Sequence, residues 1–160
     1  MWDHEGVGIV LVDALVGHPT LQEISLESNW IHFDDPQNTV GACWARLVAA
    51  NSSSLHTLSF AICLAGDEVL RPVFTALGRN TFLRTLLLHE NTLTDPFARD
   101  VVLPSLRANS GLRKIVLFDL EHDEESVPYL VKAQALVFAR RCGTASDHMM
   151  RRLLRNERRR

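Results

Sequence analysis

The amino-acid sequence predicts an α/β fold, a solenoid of stacked strand-plus-helix units, and three observations carry that expectation. One phrase is written four times: L-Q-E-I-S-L-E-S-N at 21–29, L-H-T-L-S-F-A-I-C at 55–63, L-R-T-L-L-L-H-E-N at 83–91 and L-R-K-I-V-L-F-D-L at 112–120. The first leucines of these copies lie 34, 28 and 29 residues apart, a period at which repeated units stack on one another. Between them recurs a second phrase ending in asparagine: A-R-L-V-A-A-N at 45–51, F-T-A-L-G-R-N at 74–80 and L-P-S-L-R-A-N at 103–109.

The N-terminal segment ends V-D-A-L-V-G-H at 12–18 and reads as the helical half of a unit whose strand is missing. Leu15 stands where Val48, Leu77 and Leu106 stand in the other units, and His18 replaces the asparagine. It is expected either as a diverged end or as the cut end of a longer array. The leucine phrases predict parallel strands at 24–26, 58–60, 86–88 and 115–117, with alternate residues on opposite faces. The asparagine phrases place apolar residues at helical spacing. Asp67 and Asp95 are candidate helix starts, because a short carboxylate caps free N–H groups, and Pro96 suits a first helical position. Pro72 and Pro104 lie deeper and are expected to bend or shorten their helices, or to mark later starts.

After the fourth strand, E-H-D-E-E at 121–125 reads as a solvated acidic turn. Pro128 to Cys142 follows as a helix closed by Gly143, and Ser146 starts a short helix carrying Met149, Met150, Leu153 and Leu154. The expected organisation is a repeat array at 1–122 with an incomplete first unit, a C-terminal helical cap at 123–155 and a basic tail at 156–160.

At 160 residues the chain is about one domain long, with an ordinary 46% of hydrophobic residues. Its formal net charge of −2 is unevenly spread. Residues 1–139 hold 17 acidic and 9 basic side chains, whereas residues 140–160 hold 8 arginines and 2 acids. A clustered charge of this kind can find its own partner. Three cysteines without C-x-x-C spacing argue against a disulfide scaffold and for a reducing compartment. The apolar run from Val7 to Val16 is interrupted by Asp13 and lacks a basic flank, unlike a signal peptide. No apolar stretch approaches the roughly 18 residues needed to span a bilayer. These features predict a soluble, cytoplasmic protein.

At the repeated phrases, over roughly residues 7–120, the chain resembles the leucine-rich repeat proteins, specifically the ribonuclease-inhibitor-like subclass. The fit to L-x-x-L-x-L-x-x-N/C has two departures: a first interval stretched mostly between Trp30 and Ala45, and Leu120 where Asn or Cys belongs. The resemblance implies a curved parallel sheet with convex helices, used for protein recognition. It also implies that Asn29, Cys63 and Asn91 bond neighbouring backbone in the turns after the strands.

Few residues offer chemistry. Cys43, beside Trp44, reads as core. Cys142 lies near Arg140 and Arg141, which would lower a thiol pKa, yet nothing pairs it with a base. His4, His18, His32, His56, His89, His122 and His148 never pair at metal-ligand spacing, and H-D-E-E at 122–125 is explained by acids favouring a helix start. No phosphate loop, G-x-S-x-G or H-E-x-x-H motif is present. No enzyme, catalytic residue, cofactor or metal is expected.

The face opposite the buried leucines is the expected binding surface. Its residues are Glu23, Ser25 and Glu27, then Thr57, Ser59 and Ala61, then Thr85, Leu87 and His89, then Lys114, Val116 and Phe118. It grades from acidic to apolar. Glu23, Glu27, Leu87, His89, Val116 and Phe118 are the candidate partner-binding residues, because exposed apolar patches mark contact. The apolar cluster would meet a partner or the chain's own C-terminal helices. Arg151, Arg152, Arg155, Arg158, Arg159 and Arg160 form a basic tail suited to nucleic acid or an anionic surface. The leading expectation is a non-enzymatic protein-interaction module binding through the concave sheet face. The alternatives are a regulator of a small GTPase, like the GTPase-activating proteins of the Ran type, and a structural subunit of a large assembly docking through the arginine tail.

Overall fold

Each copy of the leucine phrase folds as a three-residue strand whose middle residue points into the core. The strands are β1 (Glu23–Ser25), β2 (Thr57–Ser59), β3 (Thr85–Leu87) and β4 (Lys114–Val116). Each begins one residue earlier than the leucine spacing predicts. The computed structural model describes residues 7–28, 39–118 and 127–142. Within them the strands form one parallel sheet in sequence order, with Ile24, Leu58, Leu86 and Ile115 in register across it. All four are buried, at 5% exposure or less.

Helices pack as a second layer: α1 (Val7–Leu15), α2 (Thr39–Ala49), α3 (Asp67–Leu77), α4 (Asp95–Phe97), α5 (Leu103–Ala108) and α6 (Pro128–Cys142). Apolar residues at helical spacing, among them Leu47, Leu70, Val73, Phe74, Leu77 and Leu106, meet the strand leucines in one core. Trp44 of α2 stacks on Phe60 with ring centroids 4.0 Å apart, and Phe74 meets Phe97 edge-on at 5.9 Å. Pro72 is accommodated within α3. A π-helical stretch, Ala98–Val102, joins α4 to α5, whose second residue is Pro104. Proline lacks an N–H and crowds the carbonyl four residues back, and a wider turn relieves both.

The expected solenoid with a curved sheet is corrected by this arrangement. Four strands of three residues build a small two-layer α/β domain, and the sheet does not curve into a solenoid. The physical reason is that L-x-x-L-x-L specifies a short buried strand followed by a turn. That requirement is local, and any parallel sheet of short βα units imposes it. The motif therefore places the strands without fixing the architecture they add up to.

Polar side chains stitch the units together. Asn80 Nδ2 donates to the Val48 carbonyl at 2.7 Å, and its Oδ1 accepts from Leu83 N at 2.8 Å. One unit later Asn109 donates to the carbonyls of Leu77 and Asn80 at 2.7 and 2.6 Å and accepts from Leu112 N at 2.8 Å. Both asparagines are buried, so each bond satisfies a backbone group that water cannot reach. Asn91 accepts from Ala65 N and donates to the carbonyls of Phe60 and Leu88. Cys63 Sγ lies 3.3 Å from the carbonyls of Leu26 and Ala61. Asn29 falls outside the described residues. Asp67 and Asp95 do begin helices, but their carboxylates reach forward to the next unit. Asp67 accepts from Thr94 N and Thr94 Oγ1, while Asp95 accepts from Tyr129 N and Leu130 N in the first turn of α6. The cap of α4 is Thr94, whose hydroxyl accepts from Phe97 N.

Candidate functional site

Along each strand, residues flanking the buried middle position point away from the helical layer, and their exposure varies across the sheet. Glu23, Ser25 and Glu27 at the β1 side are exposed. Ser59, one strand in, is buried and donates through Oγ to Glu27 Oε1 at 2.6 Å. Leu87 and Val116 lie opposite one another in the β3–β4 register and are both half-buried. Lys114 is exposed at the β4 side. The acidic-to-apolar grading thus lies on one surface, carried by short strands fixed to a helical layer.

Two members of the expected apolar cluster behave differently from the rest. Phe118 is only 8% exposed and belongs to the buried cluster that also holds Leu130, Ala133 and Val137 of α6. Strand geometry stops at Val116, so the outward alternation does not extend to Phe118. α6 also closes the open side of β4, because Gln134 Oε1 accepts from Leu117 N at 2.9 Å. His89 is half-buried; its carbonyl accepts from Ile62 N, and its Nδ1 is buried without a hydrogen-bond partner. Trp44 Nε1 and Arg140 Nη1 share that condition among the described residues. Of the expected partner-binding residues, Glu23 and Glu27 are exposed, Leu87, His89 and Val116 are half-buried, and Phe118 is buried. The tail arginines Arg151 to Arg160, His4, His32, His122, His148, the H-D-E-E run and the Cys142 side chain lie outside the described residues.

On the helical side an open cleft of about 770 Å³ runs between α2 and α3. Ala45, Ala49 and Ala76 line it together with Arg46, Arg71 and Arg79. Arg46 pairs with Asp13 of α1, and Arg71 pairs with Glu68 at 3.2 Å while lying over the Phe97 ring. Arg99 and Asp100 form a further exposed pair at 2.7 Å, which raises the guanidinium pKa and lowers that of the carboxyl through their hydrogen bond and charges. Burial, then the nearby charge of Arg113, lowers the pKa of Arg140. Nothing in the sequence signals the cleft, because it forms between faces of two helices 28 residues apart in chain order, counted from Thr39 to Asp67.

Among the described residues, no three His, Cys, Asp or Glu side chains gather as a metal site, and no helix is long and apolar enough to cross a membrane. No protein-family description and no curated protein matches the chain. Solved structures do share its fold. The tropomodulin C-terminal domain of Caenorhabditis elegans superposes with a TM-score of 0.55 at 15% identity, covering 96% of this chain and 95% of that chain. Leiomodin-1 actin-binding site 2 superposes with a TM-score of 0.61 at 14% identity, covering 98% of this chain and all of that chain (100%).

These likenesses correct the resemblance drawn from the leucine phrases. The structural neighbours are tropomodulin and leiomodin domains, not ribonuclease-inhibitor-like leucine-rich repeat proteins. Neither alternative, a Ran-type GTPase regulator or an assembly subunit docked by its tail, finds support in them. At such low identity the likeness is one of fold: a four-stranded parallel sheet backed by helices, matched over nearly the whole of each chain.

Proposed function

We propose that this chain is a non-enzymatic protein-binding domain whose partner is actin, acting in the cytoplasm. One observation carries the reading: the fold is matched from end to end by a domain described as an actin-binding site. The outward sheet face supports it, because short strands backed by a packed core hold their side chains in fixed positions, and rigidity lowers the entropic cost of association. On this reading Leu87, His89 and Val116 supply apolar contact, and Glu23 and Glu27 supply a charged margin. Phe118 supports them from the core.

Co-sedimentation with filamentous actin, and native-gel retention with monomeric actin, test the proposal. Saturable association with at least one form is expected. The double variant Leu87→Ala/Val116→Ala should weaken it by more than about 1 kcal/mol, the scale on which interface residues count. Association with neither form overturns the actin reading. Undiminished binding by a folded double variant removes the sheet face as the contact.

A further inference from the structure

All four strands enter the sheet along one edge, and the turns there carry one sign of charge. Those turns, taken with the last two residues of α5, span 16–22, 50–56, 78–84 and 107–113. They contain Arg79, Arg84, Arg107 and Arg113 and no aspartate or glutamate. The turns at the opposite edge, taken with the first residues of α3 and α4, span 26–28, 60–68 and 88–95 and contain Glu27, Asp67, Glu68, Glu90 and Asp95 and no lysine or arginine. The domain is polarised across its sheet.

The arginines of the entry edge converge. Arg84 Nη1 donates to the carbonyls of Thr81 and Gly111 at 2.8 and 2.9 Å, and Arg113 Nη1 donates to Ser110 O at 2.7 Å. Arg113 N donates to Arg84 O at 2.8 Å, so the two residues occupy neighbouring rungs, about 4.8 Å apart at the usual strand spacing. Arg140 reaches in from α6, its Nη2 on the Leu106 carbonyl and its Nη1 buried without a partner. Among the described residues none of Arg79, Arg84, Arg107, Arg113 and Arg140 pairs with a carboxylate.

Helix ends account for part of this. α1, α2, α3, α5 and α6 finish at the entry edge, and their carbonyls attract cations. A helix C-terminus is equivalent to roughly half a negative charge, so the five together offset about half of the five positive charges. The remainder is like-charge crowding, which costs stability on adjacent strands.

We propose that this edge, centred on Arg84, Arg113 and Arg140 and flanked by Arg79 and Arg107, docks an acidic segment of a partner protein. Guanidinium forks take carboxylates in pairs of parallel hydrogen bonds. Arg84 and Arg113 spend one nitrogen on backbone carbonyls, which fixes each fork in place. Nucleic acid fits less well: the entry turns contain no tyrosine or tryptophan, and Phe82 is half-buried, so bases have no stacking platform. The proposal goes beyond actin binding by the sheet face and stands or falls separately from it.

The test is fluorescence anisotropy of a fluorescein-labelled peptide alternating glutamate with serine, titrated with the full chain. A glutamine–serine peptide is the control, and a thymidine oligonucleotide is the competitor. Saturable binding of the glutamate peptide is expected, weakening steeply with salt. Arg113→Glu, and separately the exposed pair Arg79→Glu/Arg107→Glu, should each weaken it about tenfold or more in variants whose circular dichroism is unchanged. A variant with Arg151, Arg152, Arg155, Arg158, Arg159 and Arg160 changed to glutamine should stay within about threefold, because the proposal assigns binding to the edge arginines. Absence of saturable binding overturns the proposal, as does equal binding of the glutamine peptide or loss of binding in the tail variant with normal binding by the edge variants. Tighter binding of the oligonucleotide also overturns it. So does self-association of the chain through the edge without peptide binding.

Discussion

Where the strands enter the sheet, charged side chains are donors: Arg84, Arg113 and Arg140 give hydrogens to carbonyls at 81, 111, 110 and 106. Where the strands leave it, charged side chains are acceptors: Asp67 and Asp95 take hydrogens from Thr94, Tyr129 and Leu130. The contrast follows from backbone polarity. In a parallel sheet with a helix after each strand, helix C-termini collect at one edge and helix N-termini at the other. Unpaired carbonyls at the first edge require donors, and unpaired N–H groups at the second require acceptors. Asparagine supplies both kinds of atom and works at both edges, as Asn80 and Asn109 at the entry and Asn91 at the exit.

The comparison can be broken or sharpened by substitution. The largest effect is expected from Asn109→Ala at the entry edge. It strands the carbonyls of Leu77 and Asn80 and the amide of Leu112 in a site only 1% exposed. At the usual cost of unsatisfied buried groups this is about 3–5 kcal/mol, matching a buried Leu86→Ala truncation. Urea or thermal unfolding measures it, and a loss below about 1 kcal/mol means water replaces the amide.

Asn91→Ala at the exit edge also removes three bonds, but its residue is half-buried. Solvent can take over part of the role, so about 2 kcal/mol is expected in the same melts. Equal losses for Asn91→Ala and Asn109→Ala would show that the edges do not differ in water access. Asp95→Ala should cost about 1 kcal/mol, the usual value of a helix cap. Its signature is faster amide exchange at Tyr129 and Leu130, with β2 amides unchanged. Arg79→Glu should change stability by no more than about 0.5 kcal/mol, as an exposed substitution without described side-chain bonds. A large loss there would mean that the entry-edge charge is structural rather than available to a ligand.

Local order was written plainly in the chain. Alternating leucines placed all four strands to within one residue, and Pro128 to Cys142 is the helix that its composition implies. The asparagine phrase was visible, but its bonds were not: Val48, Leu77 and Asn80 are 32, 32 and 29 residues from the side chains that reach them. Asp67 and Asp95 were legible as helix starts and illegible as bridges, because a cap and a bridge use the same carboxylate. Phe118 fitted the outward alternation by counting. The strand ends before it, so only three-dimensional packing could assign it to the core.

By itself the sequence determined that this chain repeats a strand-and-helix unit, and which residues are apolar enough to be buried. Those properties depend on short-range periodicity, and periodicity is a one-dimensional signal. Tertiary structure decided what the units become: a small four-stranded α/β domain rather than a solenoid, with tropomodulin and leiomodin domains as structural neighbours. It also decided that arginines from separate units meet along one edge and carboxylates along the other. Net charge is a sum over the chain and carries no position. Only the parallel pairing of β1 to β4, which aligns every turn with its equivalent, turns a scattered set of charges into two faces of opposite sign.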